Sequence, residues 1–130
     1  MTTTSSLVRV YAALLAVSGG VLLFLPETLA PAASRSPVLA QIVGGALLAF
    51  AIANWMARDA VLGGIYNRPL VAGNQAFAVI GALVLIRGLE AASPPAAWAL
   101  TAVLGVGAVL YSVLLFRGPL SDSLPPAPRT

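Results

Sequence analysis

Residues 38–57 read VLAQIVGGALLAFAIANWMA, and this stretch decides the fold. It contains no charged residue. Coiled as an α-helix at 1.5 Å per residue it reaches about 30 Å, the thickness of a bilayer's hydrocarbon core. Oil offers the backbone no hydrogen-bond partners, so a single segment of this length must satisfy its own amides as a helix. The run ends in Asn54-Trp55-x-x-Arg58, which sets an indole at the headgroup level and a guanidinium just beyond it.

Outward from this segment lie three more apolar runs, at about 7–25, 69–86 and 97–116. The ten-residue alternation of a membrane barrel is not seen. The sequence therefore predicts an all-α, four-transmembrane-helix bundle, up-down-up-down, packed through Gly and Ala. Residues 1–119 form its single domain, and 120–130, with three prolines, a disordered tail.

Punctuation between the runs agrees. Leu25-Pro26 closes the first helix, because proline cannot continue it. Ser36-Pro37 and Ser93-Pro94 each offer a capping hydroxyl before a first-turn proline, and Asn67-Arg68-Pro69 opens the third helix in the same way. Gly63-Gly64, Gly88 and Gly118-Pro119 fall just past helix ends. The second loop, 60–66, is apolar enough to skim the interface.

Composition supports lipid as the solvent. The 130 residues are 59% hydrophobic and 8% charged, against about 25% charged in soluble domains. All seven basic residues are arginines spread singly along the chain, so the net charge of +3 forms no nucleic-acid footprint. With neither Cys nor His, disulfides, Cys/His zinc sites, thiol chemistry, His-ligated haem and a His general base are excluded. No cofactor is expected. Lys is absent and Ala, Pro and Arg abundant, a composition that suggests a GC-rich bacterial source.

Arginine placement sets orientation. With four spans, Arg9, Arg58, Arg68, Arg117 and Arg129 share one side, and Arg35 and Arg87 the other. That asymmetry predicts both termini in the cytoplasm of a multi-pass protein of the plasma or inner membrane. Residues 1–33 also carry a signal-peptide pattern ending in Ala30-Pro31-Ala32. The apolar run of about 16 residues exceeds an h-region, however, and cleavage would spoil the asymmetry, so the segment is expected to remain as a span. Arg9 and Arg68, and Arg58 and Arg117, are each 59 residues apart. Positive-inside placement accounts for this without an internal repeat.

Polar groups within spans carry most information. Asn54 lies a turn before Arg58, and Asn74 and Gln75 lie about one and a half turns into the third helix, at similar depth across a short loop. Asn74, Ala78 and Gly81 share one face; Gln41, Gly45, Ala49, Ala53 and Ala57 form a small-residue stripe on the second helix. Two roles follow for Asn54, Asn74, Gln75, Arg58 and Arg68: a polar contact that fixes a helix pair, or a polar pocket whose arginines attract an anionic headgroup or solute. The first is expected. Tyr11, Tyr66, Trp98 and Tyr111, like Trp55, fit interfacial anchors.

None of the four acids, Glu27, Asp59, Glu90 and Asp122, falls inside a span. Proton-coupled transport usually needs such a carboxylate. The first span, VYAALLAVSGGVLLFL after Arg9, lacks the glutamate of a four-helix drug exporter.

Four spans in about 110 residues, Gly-rich helices, and the flanks Asn54-Trp55-x-x-Arg58 and Asn67-Arg68-Pro69 resemble, in layout, the small four-helix bacterial membrane proteins of the DoxX-like and similar uncharacterised families. The Arg-started G-x-x-K pattern of DoxX itself is missing, and no functional residue is implied. The sequence thus predicts a non-enzymatic accessory or structural membrane subunit whose partners are the bilayer and other membrane subunits or itself. The alternative is a small oligomeric transporter or channel for a neutral or anionic solute, lined by Asn54, Asn74, Gln75 and Thr101.

Overall fold

The computed structural model describes residues 3–29, 36–59 and 67–117. Arg35, Arg129, Tyr66, Asp122, Ala30-Pro31-Ala32, Gly63-Gly64, Gly118-Pro119, the 60–66 loop and the 120–130 tail lie outside the described residues.

Four helices account for nearly all of the described chain: α1 (Thr3–Phe24), α2 (Pro37–Ala57), α3 (Arg68–Gly88) and α4 (Pro95–Arg117). Each is long and apolar enough to cross a membrane, and no strand is present among the described residues. The helices outrun the apolar runs by one to four residues at most ends, since Thr3–Ser6 and Arg117 join the helical ladder although they are polar.

Proline sets most of the boundaries. α1 stops at Phe24, and Pro26–Leu29 winds a short 3-10 turn whose Thr28 donates both its amide and its hydroxyl to the Leu25 carbonyl. Pro37 opens α2, and Pro69 lies in the first turn of α3, but neither Ser36 nor Asn67 caps through its side chain. Nor does Ser93 cap α4: the helix begins at Pro95, and the Ser93 hydroxyl accepts from the Glu90 amide to close a turn. Where a proline already holds the first-turn backbone, the capping hydroxyl is dispensable.

The closest helix pairs are α1 with α2 and α3 with α4. Along the first pair, Arg9 meets Asp59, Gly19 meets Gly44, and Leu23 meets Gln41. One partner's number rises as the other's falls, so the two helices run in opposite directions. A Cβ built on Gly44 would lie 2.8 Å from the Gly19 oxygen and 3.0 Å from the Leu23 nitrogen. Only hydrogen fits there.

This close approach corrects the expected stripe on α2. The buried face is Ala40, Gly44, Leu47, Ala51 and Asn54, whereas Gln41 and Ala49 are exposed and a Cβ on Gly45 would meet nothing within 4 Å. The two stripes differ by one residue, or about 100° of helix rotation. On the outside, large apolar side chains such as Val17, Phe24, Ile42, Met56, Val84 and Phe116 are exposed on all four helices. A water-soluble bundle would cover one face of each helix with polar groups; these faces suit hydrocarbon.

Candidate functional site

The polar groups of the centre come from three helices. On α2, Asn54 faces inward because it continues the Leu47–Ala51 stripe by three to four residues. On α3, Asn74 lies between Val71 and Ala78 on the buried face. On α4, Tyr111 follows Leu100, Leu104 and Gly107 at helical spacing. All three side chains are within 2% of full burial.

They form one chain of hydrogen bonds. The Tyr111 hydroxyl donates to Asn54 Oδ1 at 2.7 Å, Asn54 Nδ2 donates to Asn74 Oδ1 at 2.8 Å, and Asn74 Nδ2 donates to the Leu70 carbonyl at 2.9 Å. Every link is a donor meeting an acceptor, so the set is polar yet internally matched. Beside it, Phe50 of α2 stacks on Phe77 of α3, with centroids 4.5 Å apart and planes 24° apart. Side chains, rather than close backbones, thus join the α1–α2 hairpin to the α3–α4 hairpin.

Tyr11 and Tyr111 are not interfacial anchors. Tyr11 is 2% exposed, and its ring meets that of Tyr111 edge-on, 5.6 Å away at 64°. Gly107 makes room for the Tyr11 phenol: a Cβ there would collide with Tyr11 Oη and Cζ. The sequence signal was present in the Leu100–Leu104–Gly107–Tyr111–Leu114 spacing, which turns Tyr111 toward the core. By contrast Trp55 and Trp98 are half exposed, as indoles in a headgroup belt would be.

Gln75 points elsewhere. Its Nε2 donates to Ser112 Oγ on α4 at 2.7 Å, while its Oε1 is buried with no hydrogen-bond partner among the described residues. Thr101 donates its hydroxyl to the Ala97 carbonyl a turn earlier, so it too is internally bonded.

The two arginines expected at the mouth of a pocket are not joined to this set. Arg58 donates from Nη1 to the Trp55 carbonyl at 2.6 Å, lies 4.9 Å over the Trp55 ring, and pairs with Asp59 at 3.3 Å. Arg68 is exposed at the start of α3. What the sequence reading missed is the role of Asp59, which accepts from Arg9 Nη2 at 2.7 Å and from the Ser5 hydroxyl at 3.3 Å. It thereby ties the end of α2 to the beginning of α1. The Arg9 hydrogen bond holds its carboxyl below the usual carboxylate range; partial desolvation opposes this, and the charges of Arg9 and Arg58 and the Ser5 hydroxyl add to it.

Among the described residues, two surface grooves stand out. One, of about 530 Å³, runs between α1 and α4; the other, of about 300 Å³, runs along α1 and α2 beside Trp55 and Met56. Asn54, Asn74 and Gln75 line neither. Among the described residues no cluster of three or more acids offers a metal site. No family model matches the chain, and no curated protein or solved structure is significantly similar to it.

Proposed function

We propose that this chain is a non-enzymatic accessory or structural subunit of a cell membrane, acting through contacts of its helix faces with lipid and other membrane helices. In this reading it crosses up-down-up-down with both termini cytoplasmic, the side that carries five of the seven arginines. One observation carries the proposal: the polar side chains at the centre bond to one another in a single matched chain from Tyr111 to Leu70. A solute pathway needs polar groups turned toward an opening, and a reacting centre needs a base or nucleophile beside one. Here the interior polar atoms fix helix positions, and the outward surface is hydrocarbon.

The test has two arms. Purification from native membranes in mild detergent is expected to yield a defined assembly, with itself or other membrane proteins. Proteoliposomes are expected to show no flux across a panel of neutral and anionic solutes. Robust saturable flux would overturn the proposal. It would favour the transporter reading, which the buried Gln75 Oε1, without a hydrogen-bond partner among the described residues, supports.

A further inference from the structure

We propose that the groove between α1 and α4 binds one acyl chain of an anionic glycerophospholipid, with its phosphate at Arg117. The slot is built by two glycines two residues apart on α4. Gly107 admits the Tyr11 ring and so lets α4 approach α1 there, while a Cβ on Gly105 would meet nothing within 4 Å and leaves the wall recessed. The walls are Leu7, Val10 and Leu14 of α1 and Val106 and Val109 of α4, with Tyr11 behind them.

Depth identifies the occupant. From Leu7 to Leu14, and from Gly105 to Val113, the lining rises about 10–12 Å, close to one leaflet of a core about 30 Å thick. A partner helix, or a second copy of this chain, lying along the groove at a shallow crossing angle would need it to continue across the whole span. This one ends near mid-bilayer, as a lipid tail does. Charge identifies the headgroup. Arg117, exposed in the last turn of α4, lies one turn beyond Val113 at the open end of the slot. Arg9, on the other wall, turns its Nη2 to Asp59 and so faces α2. Hydrocarbon contacts inside a bilayer discriminate little between lipids, so selection falls to the guanidinium.

The inference rests on the proposed membrane placement, which single-cysteine accessibility at either end of this cysteine-free chain reports independently. The binding experiment is native mass spectrometry of the full chain in detergent, titrated with dioleoyl phosphatidylglycerol or dioleoyl phosphatidylcholine. The expected result is one phosphatidylglycerol bound about fivefold more tightly than phosphatidylcholine, the weight of one surface arginine. Arg117→Gln should erase that preference while leaving helix content unchanged by circular dichroism. Gly105→Leu, which fills the recess, should weaken both lipids about tenfold through lost tail contacts. Equal affinity for the two lipids, or wild-type binding in both variants, would overturn the proposal. So would a lipid-independent dimer abolished by Gly105→Leu, which would assign the groove to a second copy.

Discussion

The two hairpins solve the same packing problem differently. In α1–α2, Gly19 and Gly44 face each other so closely that an added Cβ on either would meet backbone atoms at 2.7–3.0 Å. In α3–α4 the corresponding close point is Gly81, whose added Cβ would meet only the Leu104 side chain, its Cδ1 tip at 2.8 Å. A leucine tip can rotate away; a carbonyl in a helix cannot. The second hairpin also has a side-chain bond between its helices, Gln75 to Ser112, inside the apolar run. An offset of 59 residues would bring Gly19 and Gly44 onto Ala78 and Val103, which cannot reproduce the glycine contact. The 59-residue arginine spacing is therefore not accompanied by a repeat of the glycine contact. Within the span the first hairpin closes on backbone at Gly19 and Gly44, with side-chain bonds toward its ends, whereas the second closes on side chains.

That contrast is sharpest in the response to one methyl group. Gly44→Ala should cost about 2–3 kcal/mol, because the helices must separate and lose packing along their length. Gly81→Ala should cost less than about 1 kcal/mol, with Leu104 changing rotamer. Gly45→Ala, one residue from the contact and open to space, should be neutral or stabilising by up to about 1 kcal/mol through helix propensity. Thermal unfolding of the three variants in one detergent checks the order. Equal losses for Gly44→Ala and Gly81→Ala would end the distinction between the hairpins.

The seam between hairpins should respond in steps. Asn54→Leu removes two bonds and strands both the Tyr111 hydroxyl and Asn74 Oδ1, which predicts a loss of about 1–3 kcal/mol. Tyr111→Phe removes one bond and keeps the ring against Tyr11, so a loss near the membrane average of about 0.6 kcal/mol is expected. A double-mutant cycle on Asn54 and Asn74 isolates their coupling from the volume change. A coupling indistinguishable from zero would mean that Phe50 and Phe77, not the amides, hold α2 to α3.

How much of this was legible beforehand depends on what each feature rests upon. The four helices follow from local quantities, apolar length and proline position, and these survive in any packing arrangement. The depth of Asn54 and Asn74 followed from counting residues on either side of a short loop. Tyr111 could not be placed by the same count, since its hydroxyl crosses from α4 to a helix that is not its sequence neighbour. The buried face of α2 is not legible in the sequence because glycines and alanines crowd two adjacent faces of that helix, and only the partner, Gly19, distinguishes Gly44 from Gly45. Arg9 and Asp59 are 50 residues apart, so their pairing needed the hairpin to be closed first.

The smallest effect expected is at that ion pair, and its sign can be worked out. In the folded protein Arg9 depresses the Asp59 carboxyl below its usual value, so folding favours the charged form. The resulting stabilisation is present above the unfolded carboxylate pKa of about 3.9 and is lost as pH falls through the depressed folded value. Near neutral pH it is constant. With its side chain 62% exposed, Asp59 is well screened, so the contribution is small and should shrink further in high salt. The comparison to make is Tm against pH, from about 6 down to 2, for the wild type and Asp59→Asn. The two curves should run parallel above about pH 5 and converge in acid, where the wild-type carboxyl also becomes neutral. Curves that stay parallel through the whole acid range would show that Asp59 contributes nothing by its charge, and that the contacts within the span, at Gly19 and Gly44 and along the buried leucines, keep α1 against α2.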